Sequence, residues 1–170
     1  IVSASMVDQT AGFFPGSHGV PDIGRLSDDG NRRNTGYPYQ TANHLKIASN
    51  NSYYMKNSRL DLDVSFQNNQ REERSEFHTH YPGEEEPLTD PNLELAFKLK
   101  SYQFNLKYER NISHKHDISA GIQNAYKINT TRGYNFLLPE YDQITSGIFL
   151  KDDIKVTKKL IVSRGIRYDI

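Results

Sequence analysis

Leu60-Asp61-Leu62-Asp63-Val64-Ser65-Phe66-Gln67 alternates apolar and polar residues without a break. Successive side chains of an extended chain point to opposite faces. Leu60, Leu62, Val64 and Phe66 therefore line one face, and Asp61, Asp63, Ser65 and Gln67 the other. A helix would scatter both sets around its axis, so the stretch predicts a strand with one greasy side. The same period recurs at Ile118, Ala120, Ile122, Tyr126 and Ile128 against Ser119, Gly121, Gln123, Lys127 and Asn129. It recurs again at Leu160, Val162, Ile166 and Tyr168 against Ser163, Arg167 and Asp169, with Ile161 and Arg164 out of pattern. From 93 to 108 the apolar set is first odd (Leu93, Leu95, Phe97, Leu99) and then even (Tyr102, Phe104, Leu106, Tyr108). A parity switch inside one strand predicts an extra residue, a β-bulge near Lys100–Ser101. The stretches 1–12 and 44–55 alternate poorly.

Between these segments the prolines fall into three groups: Pro15, Pro21 and Pro38; Pro82, Pro87 and Pro91; and Pro139. Most glycines keep them company. Proline cannot donate to a ladder and is expelled from central strands. The groups therefore mark three long connections, near 13–43, 78–92 and 131–142. Short connections near 56–58, 110–116 and 157–159 are rich in Lys, Asn, Ser and His. Long and short alternate strictly, which predicts an all-β, antiparallel up-and-down meander of about seven strands with its long loops on one rim and its tight turns on the other. Outer-membrane barrels carry this asymmetry as a rule.

The composition bounds the rest. The 170 residues include 21 Lys+Arg and 21 Asp+Glu, a formal net charge of zero, which argues against nucleic-acid binding by bulk charge. Hydrophobic residues are only 35%, yet there are 11 Tyr and 8 Phe, too many aromatics for a disordered chain. No apolar run is long enough for a membrane helix, but strands cross membranes by alternation and leave no such run. There is no cysteine, which removes disulfides, thiolate metal sites and cysteine nucleophiles. The chain starts without Met and stops inside an alternating stretch, so it reads as a piece of a longer protein.

Alternation alone does not say what the apolar face meets. The opposite face is expected to carry Asp61, Asp63, Gln67, Asn69, Lys98, Lys100, Gln103, Asn105, Lys107, Gln123, Lys127 and Arg167, groups suited to a wet lumen. Tyr54 and Tyr108 beside short turns, with Tyr126 and Phe97 nearer the long loops, suggest two interfacial girdles. The competing expectation is a soluble or surface-exposed all-β binding module, an adhesin or glycan-binding sheet, whose apolar face packs on protein.

Several stretches resemble the barrel domain of TonB-dependent outer-membrane receptors in their Bacteroidetes form. They are Ala11-Gly12-Phe13-Phe14-Pro15-Gly16, Ser17-His18-Gly19, Leu26-Ser27-Asp28-Asp29-Gly30, Pro38-Tyr39-Gln40, Asn43-His44-Leu45, Gln67-Asn68-Asn69-Gln70-Arg71, Ser75-Glu76-Phe77-His78, Gly133-Tyr134-Asn135-Phe136-Leu137-Leu138-Pro139 and Gly165-Ile166-Arg167-Tyr168-Asp169. The resemblance spans essentially the whole chain. It implies a transmembrane barrel of about 22 strands filled by a plug. Its members capture a scarce nutrient (ferric siderophore, haem, cobalamin or glycan) and import it with energy passed through the TonB complex. Residues 1–170 would be a mid-barrel fragment of one such domain, in the outer membrane of a Gram-negative bacterium, without plug or TonB-contacting segment. Its two open edges would favour self-pairing.

Candidate binding residues cluster in the first long connection: His18, Arg25, Arg32, Arg33, Tyr37 and Tyr39, with Asp28 and Asp29 among them. Arginine forks and tyrosine rings suit an anionic, aromatic ligand such as a catecholate siderophore. The plain alternative is a solvated loop braced by Asp–Arg pairs. His78 and His80, with Glu76, fall on one side of an extended strand, as a metal or haem iron would require. If that strand runs unbroken, their side is the one holding Leu60 to Phe66, outside the barrel. A surface pair without a third ligand is the plain alternative. His114 and His116 sit in a short turn on the opposite rim. Glu84-Glu85-Glu86 reads as a solvated loop tip, with external calcium as a lesser option. No nucleophile elbow, phosphate loop or paired acid occurs, so neither an enzyme nor a resident cofactor is expected.

Overall fold

The computed structural model describes residues 1–12, 36–79, 82, 83, 85–135 and 137–170. Among them the regular structure is one antiparallel sheet. Its strands are β1 (Val2–Gly12), β2 (Tyr39–Met55), β3 (Ser58–Arg74), β4 (Leu93–Asn111), β5 (His116–Arg132), β6 (Tyr141–Lys155) and β7 (Ile161–Asp169). They lie side by side in chain order. The meander is open, with β1 and β7 each paired on one side only. Connections 56–57, 112–115 and 156–160 share one end of the sheet, and 13–38, 75–92 and 133–140 share the other. The long connections are trimmed relative to the sequence expectation because the strands run into them. β2 starts at Tyr39, so Tyr39 belongs to a strand. The poorly alternating stretches are strands too: β1 pairs with β2 along all of its 11 residues. Ladder hydrogen bonds join backbone to backbone and need no side-chain pattern.

Register assigns the faces. Leu60, Leu62, Val64 and Phe66 stand opposite Tyr108, Leu106, Phe104 and Tyr102. Those in turn stand opposite Ala120, Ile122, Asn124 and Tyr126. Ile122 and Tyr126 meet Ile148 and Ile144 on β6, and Ile148 meets Tyr168 on β7. One apolar face therefore runs across the strands.

Three expectations are corrected by this register. No bulge occurs at Lys100–Ser101, because β4 keeps an unbroken register from Leu95 to Arg110; the irregularity falls at Glu73/Arg74, opposite Leu95 and Leu93, with Glu94 between. The parity switch in the sequence thus marks a change of face for the apolar residues. Leu95, Phe97 and Leu99 join the polar face, while Lys98 and Lys100 share the face of Tyr102 and Phe104. The girdle residues change as well: Tyr54 pairs with Arg59 on the polar face, Tyr53 pairs with Leu60 on the apolar one, and Phe97 is on the polar one. Tyr108 and Tyr126 do stand on the apolar face, where Tyr126 joins Phe66 and Tyr102 in a row across three strands, with ring centroids 5.1 and 6.3 Å apart. Finally, β3 ends at Arg74, so residues 75–79 are not strand and parity does not place His78 outside the sheet.

Apolar side chains are exposed over much of the sheet. On the apolar face Ile144 and Ile166 are each 74% exposed and Val64 43%, whereas Ser101, Ser119 and Asn129 on the polar face are at or below 9%. The only buried apolar side chains among the described residues are Leu93, Leu95 and Ala96, at the long-loop end of β4.

Candidate functional site

At the long-loop rim two connections are tied together. The Ser75 hydroxyl donates to Glu94 Oε2 at 2.9 Å, and the Asn135 amide reaches Glu94 Oε1 at 3.3 Å. With the Ser75 proton so engaged, the Tyr134 phenol supplies the hydrogen of its 3.1 Å bond to Ser75 Oγ. The Tyr134 ring meets Phe77 edge-on at 5.1 Å and His78 at 6.2 Å. The Asn135 N–H donates to the Glu94 carbonyl at 2.9 Å. Two stretches quoted above from the sequence, Ser75–His78 and Gly133–Asn135, thus meet across 59 residues of chain. Gly133 permits the approach. Its φ is +106°, and a Cβ there would lie 2.4 Å from the Glu94 carbonyl oxygen.

Beside this knot a cleft is lined by Thr89, Asp90, Leu93, Arg132 and Tyr134. Arg132 is an exposed guanidinium, 3.8 Å from Glu72. Arg74 bonds Asp90 at 3.0 Å and Glu72 at 3.2 Å, and these carboxylates, Asp90 foremost, hold it above its ordinary pKa range. The second long connection is thereby pinned to the top of β3. Chemically, the cleft offers a cation and a phenol ring to an anionic or aromatic group.

The sequence candidates divide as follows. Tyr37 and Tyr39 come together, stacked at 5.4 Å with 15° between ring planes, at the entry to β2. His18, Arg25, Asp28, Asp29, Arg32 and Arg33 lie outside the described residues, as does His80. His78 donates from Nδ1 to the Glu76 carbonyl at 2.9 Å, so that nitrogen is committed to the loop backbone. Among the described residues no three His, Cys, Asp or Glu side chains gather to hold a metal ion. The sequence reading missed Ser75, Glu94, Tyr134 and Asn135 as partners. Gly133 carried the available signal, because its glycine marks a chain reversal, but nothing local says that Glu94 lies beneath it.

The polar face carries side-chain pairs both across strands and along them. Ser52 donates to Asp61 at 2.6 Å, Asn50 to Asp63 at 2.7 Å, and Lys155 pairs with Asp117 at 2.6 Å. Arg59 bridges Asp61 and Glu109, Lys151 meets Asp153, and Arg167 reaches Gln123 at 2.6 Å and Asp169. On the apolar face the polar residues within the band bond each other: Ser146 to Asn124 at 2.6 Å, and Asn51 to Ser49 at 2.9 Å. Toward the short turns Arg164 and His116 both bond Asp152 at 3.0 Å, which accounts for the arginine that breaks the alternation of β7.

Compared with protein-family models, curated proteins and solved structures, the chain finds no match.

Proposed function

We propose that the chain is a segment of a transmembrane β-barrel that serves as a TonB-dependent outer-membrane receptor for a scarce nutrient, an iron complex such as a ferric siderophore or haem. The observation that carries the reading is the apolar face that runs across the strands and holds the Phe66–Tyr102–Tyr126 row, on a sheet whose other face carries charged residues, many of them paired. In hydrocarbon every polar group needs an internal partner, and the Asn124–Ser146 and Asn51–Ser49 pairs meet that demand. On β5 the apolar set runs from Ile118 to Ile128, about 33 Å along the strand and about 25 Å of height at the usual tilt. Strands of 15 to 19 residues exceed what a bilayer requires. Their surplus would project beyond the aromatic row on the long-loop side, where Asn68, Gln70, Lys98 and Lys100 replace the apolar residues.

In this reading the loops at 13–38, 75–92 and 133–140 face the medium. The Tyr37–Tyr39 stack, together with Arg132 and Tyr134, supplies ring faces and a cation to an anionic, aromatic iron complex. A plug and its TonB contact belong to other parts of the protein. The test uses the full-length protein in its host. It should sediment with outer membranes and need detergent for release, and Tyr37→Ala/Tyr39→Ala should slow uptake of a radiolabelled ferric complex at least several-fold. Recovery in the aqueous fraction would overturn the membrane assignment. Membrane residence with no iron complex affected would overturn the nutrient assignment alone.

A further inference from the structure

We propose that the outward face carries a binding site for one phosphate-bearing lipid, with an acyl chain along the groove at Phe66, Tyr102 and Tyr126 and the phosphate on Lys98 and Lys100. The inference rests on the membrane reading above. It draws on two separate observations. The first is a shallow groove in the apolar face, lined chiefly by Ile47, Val64, Phe66, Tyr102, Phe104 and Tyr126. It is open and predominantly apolar, with Ser49 and Asn124 also in its lining, so it suits a hydrocarbon chain. The second is what stands next along the strands. Lys100 follows Tyr102 on the same face, with Asn68 and Ile128 as neighbours, and Lys98 follows Lys100, with Gln70 and Thr130 as neighbours. A second depression opens there, lined by Gln70, Lys98, Thr130 and Arg132.

The charges of this patch are unbalanced. Arg132 and Arg74 are engaged with Glu72, and Arg74 also with Asp90. Asp142, beside Ile128, faces the Tyr126 hydroxyl at 3.5 Å. Lys98 and Lys100 have no carboxylate partner among the described residues. Two ammonium groups at alternate positions of one strand, beside the Thr130 hydroxyl, form a donor set for phosphate oxygens, while the Gln70 amide donates to Glu72 at 3.1 Å. The adjoining groove makes the preferred ligand amphipathic. A free phosphate ion would use only the upper half of the site.

The test compares the full-length protein in detergent, titrated with dioleoyl phosphatidylglycerol or dioleoyl phosphatidylcholine, with bound lipids counted by native mass spectrometry. The anionic lipid should be retained at least fivefold better. Lys98→Glu/Lys100→Glu should abolish that preference, and Lys98→Arg/Lys100→Arg should keep it. Strand content by circular dichroism confirms that each variant is folded; if the Glu pair fails to fold, Lys98→Gln/Lys100→Gln takes its place and should reduce the preference. Equal retention of the two lipids, or a preference that survives loss of both lysines, overturns the proposal. Displacement of the lipid by millimolar inorganic phosphate would reveal a plain anion site and also overturn it. A protein that stays in solution without detergent defeats the membrane reading instead, and that outcome is distinguished before any lipid is added.

Discussion

Gly133 and Tyr134 show how single residues hold the rim together. At Gly133 both the left-handed φ and the nearby Glu94 carbonyl exclude a side chain. Gly133→Ala should destabilise the protein by about 1–3 kcal/mol, read as a lower urea midpoint. Tyr134→Phe keeps the ring against Phe77 and removes only the hydroxyl bond to Ser75, so a smaller loss of about 0.5–1.5 kcal/mol is expected in the same assay. Gly121 meets a different constraint. A Cβ there would lie 2.6 Å from the Leu106 carbonyl and from the Phe149 ring, which lies over the glycine on the polar face. None of these partnerships is visible in the sequence. Each joins residues at least 15 positions apart in the chain, and a local pattern carries no information about what such distant residues meet.

At the scale of the strand, most was legible from patterning. β3, β5 and β7 alternate, and their turns are punctuated by the expected residues. β4 was misread at one point for a definable reason: a parity switch is compatible with an inserted residue or with a change in which face is apolar, and only register separates the two. The second case holds here, and it moves Lys98 and Lys100 onto the face of Tyr102 and Phe104. The strand also supplies the sharpest test of what that face meets. Leu62 stands in a row with Leu106, Ile122 and Ile148. Against lipid, Leu62→Arg should cost about 2–4 kcal/mol and still permit assembly, whereas in a packed protein core it should abolish folding. On the other face, Asn105→Lys lies beside Asp63 and should stay within about 0.5 kcal/mol of the parent. Urea titration of the folded, detergent-solubilised variants reads both.

For the whole molecule, the two rims make opposite predictions. Residues 1–170 hold no cysteine, so in a full-length protein cleared of any other cysteine a single introduced thiol reports its own side of a membrane. Glu86→Cys, in the second long loop, should react with a membrane-impermeant maleimide on intact cells. Lys115→Cys, in the β4–β5 turn, should react only after permeabilisation. Equal labelling of both on intact cells would sink the membrane topology. Period-two alternation and proline-marked breaks were enough to establish an all-β meander with long and short connections in turn, because both signals are local consequences of backbone geometry. Which residues stand opposite one another was set by strand register. Register gathers the Phe66–Tyr102–Tyr126 row, pairs the polar side chains inside the apolar band, and brings Ser75, Glu94 and Tyr134 to one rim. Those contacts join residues tens of positions apart, and a chain read one neighbour at a time does not encode them.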